Sequence, residues 1–122
     1  MEAHYAEWWL HQRPHTTGHQ LHYDTDEESL RDGRGQALCP IASTIMYLES
    51  EVGGPTVIID QRVGEGHLGA RCSLVGPKVN RLAVFDGRLL HGESIDASIN
   101  MGRRISLTNV TSRLSRCNPR PW

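Results

Sequence analysis

Apolar side chains fall along this chain in short bursts, and glycine and proline punctuate the gaps. The marks stand at Gly18, Gly33, Gly35, Gly53-Gly54-Pro55, Gly64, Gly66, Gly69, Gly76-Pro77, Gly87 and Gly102. Between them lie segments rich in β-branched and aliphatic residues, which predicts many short strands joined by turns. Eight segments qualify: residues 5–11 (YAEWWLH), 19–24 (HQLHYD), 40–48 (PIASTIMYL), 55–61 (PTVIIDQ), 71–76 (ARCSLV), 80–86 (NRLAVFD), 89–95 (LLHGESI) and 103–111 (RRISLTNVT). No stretch repeats apolar residues at i, i+3, i+4 and i+7, so no long amphipathic helix is expected. The polar run Asp26–Arg34 predicts one helical turn or a loop, and Asp86-Gly87 predicts a hairpin turn. The expected fold is therefore all-β, with about eight antiparallel strands and few or no flanking helices. Eight such strands suit a double-sheet jelly roll, which limits exposed edges and leaves a cavity between its sheets for a metal and a small ligand.

Length and composition narrow this picture. The chain has 122 residues, room for a single domain, 1–122, that buries roughly two-thirds of its unfolded surface. A hydrophobic share of 38% is low, so the core has to be well organised. The net charge of -1, with both signs interspersed, gives no footprint for nucleic acid or an anionic membrane. No apolar run is long enough to span a bilayer. The first residues carry Glu2 and Glu7 and lack the layout of a signal peptide, so the expected location is cytoplasmic. Cys39, Cys72 and Cys117 are far apart and form no CxxC pair. That odd count argues against a disulfide framework and a zinc knuckle, and predicts buried or idle thiols in a reducing compartment.

The chemistry-bearing residues are spread over the chain. Alternation in a strand points residues i and i+2 the same way, so His22 and Asp24 project together with Tyr23 on the reverse face. His91 arrives from a distant strand. Two imidazoles and a carboxylate make a three-point face for a divalent ion; the set suits Fe(II) with open positions, without excluding Mn, Co or Zn. A rival zinc site is raised by His11, His15, His19 and His22. Closed zinc sites usually include thiolates, and no cysteine is near these histidines in sequence. The other histidines read as surface or strand-filling residues.

Arg104, Ser106 and Thr108 share one face of the last predicted strand. A guanidinium grips a carboxylate through two parallel hydrogen bonds, and a hydroxyl two residues on adds a third. Arg104 with Ser106 is thus a receptor for the far carboxylate of a dicarboxylic acid. Arg103 is the adjacent contender, and parity with Ser106 favours Arg104.

In this order the residues resemble the iron(II)- and 2-oxoglutarate-dependent oxygenase superfamily, in its prolyl-4-hydroxylase-like form. The resemblance covers residues 19–111. Its parts are His22-Tyr23-Asp24, Thr44–Leu48 leading to Gly53-Gly54-Pro55-Thr56, the block Asn80–Asp86, His91, and Arg104–Thr108. It implies a double-stranded β-helix with Fe(II) held by His22, Asp24 and His91. It implies 2-oxoglutarate held by Arg104 and Ser106, with Tyr47 assisting. Oxygen is the second co-substrate, and ascorbate would support turnover. The implied reaction hydroxylates a peptide or small molecule while 2-oxoglutarate becomes succinate and carbon dioxide. The loop Thr25–Gln36 would be a substrate lid. Alternatives are a metal-binding jelly roll of cupin type and an oxygenase-like module without catalysis.

One departure concerns the start. Family members carry helices upstream that cover the larger sheet, whereas only about twenty residues precede His22. A pared-down member, a fragment of a longer chain, or a partner or second copy covering the sheet would each account for this. Trp8, Trp9 and Trp122 are candidates for that cover, although core anchoring is the favoured reading. Asp60, Arg62, Asp86 and Arg88 lie near strand ends and are expected in turn or surface roles. Asp60 and Arg88 are also placed to orient metal ligands from behind.

Overall fold

A computed structural model of the chain describes residues 5–14, 18–25, 31, 38–49, 53–94, 103–112 and 115–116. Over 103–112 and 115–116 the description is of the backbone. The described residues are mostly antiparallel strands, with almost no helix: β1 (Tyr5–Pro14), β2 (His19–His22), β3 (Leu38–Cys39), β4 (Ala42–Glu49), β5 (Thr56–Arg62), β6 (Cys72–Val75), β7 (Leu82–Asp86), β8 (Leu89–Glu93), β9 (Arg103–Ser112) and β10 (Ser115–Arg116). All eight expected strands form within a few residues of their expected bounds. The two additions, β3 and β10, are two-residue strands that pair only with each other. The run Asp26–Arg34 lies outside the described residues except for Arg31, as does most of Thr25–Gln36.

Two four-stranded sheets carry the architecture, in the orders β1-β9-β4-β7 and β2-β8-β5-β6. The chain changes sheet at almost every step along its length, so neighbours within a sheet are distant in sequence. The turn after Asp86 shows this. It is tight, as Asp-Gly requires, and Arg88 closes it by giving its backbone N–H to Asp86 Oδ1 at 3.0 Å. The expected hairpin does not form, because β7 pairs with β4 while β8 pairs with β2 and β5. Asp86-Gly87 is a crossing between sheets. Gly87 allows it by lying directly against the Pro40 backbone, where a Cβ would collide.

The sheets face each other through a small core. Strand β4 alternates, with Ser43, Ile45 and Tyr47 buried and the residues between them more open. Ile45, Tyr47 and Ala83 form the buried cluster, with Val75 and Phe85 packed against it. Tyr47 also joins the layers by hydrogen bonds. Its hydroxyl donates to the Val75 carbonyl at 3.1 Å. It lies 2.6 Å from Thr56 Oγ1, which is left to act as the donor in that bond, so both buried hydroxyls are satisfied.

The opposite face of the first sheet is open. Register places Trp8, Asn109, Thr44 and Val84 in one row, and Leu10, Leu107, Met46 and Leu82 in the next. Trp8 is 67% exposed, Leu10 58%, Leu82 58% and Val84 62%; Trp9, in register with Thr108 and Ile45 on the inward side, is still 45% exposed. The expectation that Trp8 and Trp9 anchor the core is overturned. They sit on β1, an edge strand with β9 as its one pairing partner: Trp8 stands on the open face, and Trp9 lies at the margin of the inward one. Trp122 lies outside the described residues.

The cysteine expectation is also corrected. Cys39 is disulfide-bonded, while Cys72 is free and exposed. A disulfide is the chemistry of oxidising compartments, and it pulls against the reading of idle thiols in a reducing one. No helix among the described residues is long and apolar enough to cross a membrane.

Candidate metal centre

Strand β2 ends at His22, and the chain then leaves the sheet through Tyr23, Asp24 and Thr25. His22 pairs directly with His91 of β8 in the strand register, and His91 pairs in turn with Ile58 of β5. Three neighbouring strands thus set the floor of the site. Tight apposition of β2 and β8 depends on Gly92: a Cβ there would lie 2.7 Å from the His19 carbonyl oxygen and 3.0 Å from that of Gln20.

His22, Asp24 and His91 come together as their spacing and order predicted. Each offers one ligand atom, and these atoms lie within 4.8 Å of one another. Among the described residues this is the one such group of three or more histidine, cysteine or acidic side chains. His15, part of the rival histidine cluster, lies outside the described residues.

The hydrogen bonds behind the two imidazoles decide what they present. His22 Nδ1 lies 2.9 Å from the Gln20 carbonyl, and His91 Nδ1 lies 3.0 Å from the Leu89 carbonyl. A carbonyl only accepts, so each Nδ1 carries the proton and each Nε2 of the neutral ring is left with a lone pair. His22 Nε2 stands 3.5 Å from Asp24 Oδ1, and His91 Nε2 stands 3.5 Å from Asp24 Oδ2. Lone pairs therefore face lone pairs across a gap slightly too wide for strong hydrogen bonds. Metal bonds of about 2.0–2.2 Å place neighbouring donors roughly 3–3.5 Å apart, so the donor set and its spacing fit a divalent cation.

The surroundings favour the ligating protonation states. Burial pushes the His91 imidazole below its usual range, against the raising effect of Asp24. Burial raises the Asp24 carboxyl, but the facing His22 and His91 imidazoles and the Ser43 hydroxyl outweigh it, and the net shift is downward. His91 is almost fully enclosed, with its side chain 3% exposed, whereas His22 is 35% exposed. Phe85 closes one side of His91, the ring centroids 4.8 Å apart in an edge-to-face contact.

Ser43 was not picked out from the sequence. It is fully buried and donates its hydroxyl to Asp24 Oδ2 at 2.5 Å. The available signal was a small hydroxyl on the inward, otherwise apolar side of β4, two residues before Ile45. His19, a member of the rival zinc cluster, has its ring 4.4 Å from that of His22.

The residues expected to hold a co-substrate are placed as follows. Ser106 of β9 lies in register between His11 of β1 and Tyr47 of β4, and Thr108 lies between Trp9 and Ile45. Arg104 lies opposite Arg13. The Tyr47 hydroxyl is engaged with Thr56 and Val75. Asp60 forms an exposed ion pair with Arg71 at 3.1 Å. Asp86 is gripped by Arg88, Nη2 to Oδ2 at 2.5 Å and Nε to Oδ1 at 2.8 Å, with Arg62 at 3.6 Å. These are the turn and surface roles expected of them.

No protein-family model and no curated protein matches this chain.

Proposed function

We propose that this protein is an Fe(II)- and 2-oxoglutarate-dependent dioxygenase that hydroxylates a peptide or a small molecule. The observation that carries the reading is the convergence of two imidazole Nε2 lone pairs and one carboxylate, each imidazole oriented by a main-chain carbonyl behind it. Two histidines and one carboxylate with open positions are the ligand set of non-haem Fe(II) oxygenases. The strand orders β1-β9-β4-β7 and β2-β8-β5-β6 support a double-stranded β-helix, since successive strands wind between two four-stranded sheets.

In this reading the metal, when bound, supplies the oxygen activation and redox chemistry. His22 and His91 present neutral nitrogens to it, and Asp24 supplies the one negative charge. Ser43 holds Asp24 Oδ2 and leaves Oδ1 to lead toward the metal. Phe85 shields His91 from water. Arg104 and Ser106 hold the far carboxylate of 2-oxoglutarate, supported by the register of Ser106 and Thr108 with buried Tyr47 and Ile45. The open rows on the first sheet support a partner or second copy covering that face.

A cupin-type or non-catalytic metal module is the second reading. It is favoured by Tyr47, whose hydroxyl already serves the core. The test is succinate formation from 2-oxoglutarate with Fe(II), oxygen and ascorbate, beside direct binding of 2-oxoglutarate to the metal-loaded protein. Binding that Arg104→Ala abolishes supports the oxygenase reading. Metal-dependent ligand binding that survives Arg104→Ala, with no 2-oxoglutarate affinity, supports the second.

A further inference from the structure

The triad is the inner end of a longer row of imidazoles. Ring centroids are 5.6 Å apart for His11 and His19, 4.4 Å for His19 and His22, and 4.4 Å for His22 and His91. The row is built by tertiary structure: His11 comes from β1 of one sheet and His19 from β2 of the other. We propose that His11 and His19 form a second, weaker binding site for a divalent transition-metal ion, which captures the ion and passes it to the triad. The proposal rests on the metal reading of His22, Asp24 and His91.

Three observations carry it. The first is spacing. A metal–nitrogen bond of about 2.0–2.1 Å puts a ring centroid about 3 Å from the ion, so two imidazoles sharing an ion have centroids roughly 4.5–6 Å apart. Each step of the row falls at or close to that range. The second is continuity. Successive pairs share one ring, so an ion moving inward exchanges a single imidazole at each step and is never returned to bare water. The third is burial. His11 and His19 are half-buried, the His22 side chain is 35% exposed, and His91 is enclosed at 3%. The row therefore leads from three partly exposed rings to one that is enclosed. Imidazole selects borderline ions such as Fe(II), Co(II), Ni(II) and Zn(II) over Mg(II) or Ca(II). Among the described residues no carboxylate joins the outer pair in a group of three donors, so it binds more weakly than the triad.

Co(II) alone is the probe. Equilibrium dialysis is expected to show two equivalents on the wild-type chain, one tight and one weak. His11→Gln/His19→Gln should retain only the tight one, and stopped-flow absorbance should show its triad filling at least tenfold more slowly at limiting Co(II). Asp24→Ala/His91→Ala should retain only the weak one. In the unaltered protein, diamagnetic Zn(II) in place of Co(II), added past the first equivalent, should shift the His11 and His19 ring resonances by NMR, which is independent of whether any variant folds. The inference is overturned if His11→Gln/His19→Gln binds two equivalents, or loads at the wild-type rate while the second equivalent of Zn(II) leaves the His11 and His19 signals of the parent unshifted. Tight binding that survives loss of Asp24 and His91 but not of His11 and His19 sinks the triad reading instead. A wild-type chain that takes up no Co(II) sinks both.

Discussion

Ser43 is the residue on which the disposition of Asp24 depends most directly. It is enclosed, and it holds the carboxylate oxygen that stands 3.5 Å from His91 Nε2. Partners of this kind typically contribute 10–100-fold in metal affinity. Ser43→Ala should therefore weaken Co(II) binding by about 10–100-fold by competition titration. It should also destabilise the apo fold by about 1–3 kcal/mol, because a buried carboxylate oxygen loses its donor. Unchanged affinity would make the hydroxyl merely a packing element. Tyr47→Phe is the contrasting case. It should lower stability by about 1–3 kcal/mol by removing a buried hydroxyl that bonds Thr56 and Val75. If Tyr47 also serves a co-substrate, 2-oxoglutarate affinity should fall together with the melting temperature.

At the scale of elements, the contact between β2 and β8 sets the distance between His22 and His91. Gly92→Ala would force the added methyl against the His19 and Gln20 carbonyls. The strands must then separate, which should destabilise the fold by about 1–3 kcal/mol and displace His22 from Asp24. Calorimetric unfolding and metal titration of this variant should change together. A destabilised variant with intact metal affinity would show that the site tolerates a shift of β2. The strands themselves were readable from the sequence, because Gly-Pro and Asp-Gly steps bound bursts of β-branched residues. Pairing partners were not readable, which is why Asp86-Gly87 suggested a hairpin and proved a crossing. His22 and Asp24 were legible as a local pair, and His91 by its type and order. Ser43 was not, because alternation places a serine on the inward side of β4 without revealing which carboxylate it meets. Trp8 and Trp9 misled because aromatic size favours burial, yet Trp8 stands on an uncovered face and Trp9 at the edge of the inward one.

At the scale of the molecule, the protonation of the site couples to stability. The folded state holds the His91 proton more weakly than the unfolded chain does, chiefly through burial. The stability linked to His91 is therefore complete above about pH 6.5 and is lost as pH falls below that toward the lowered folded value. Asp24, also shifted down, adds a second loss below about pH 3.9. Apo melting temperature measured from pH 8 to pH 3 should decline in these two windows. Adding Zn(II) at about 100 times its dissociation constant should raise stability by about 2.7 kcal/mol at neutral pH, with less effect below pH 6.5 as protons compete for the imidazoles. A flat profile would contradict burial of a neutral His91. Reduction should act separately: breaking the bond at Cys39 is expected to lower stability by about 2–5 kcal/mol, read as a drop in unfolding midpoint with a thiol reductant.

His22 and His91 are direct partners across two strands, yet nearly seventy positions of chain separate them. Closing so long a loop is entropically slow, and chains dominated by distant pairings fold in milliseconds to seconds. During synthesis, the ion-binding face cannot assemble until β8 has left the ribosome, after all of β1 to β7. Capture of an ion would thus mark the finished topology, a late seal on the fold with no part in guiding its early steps.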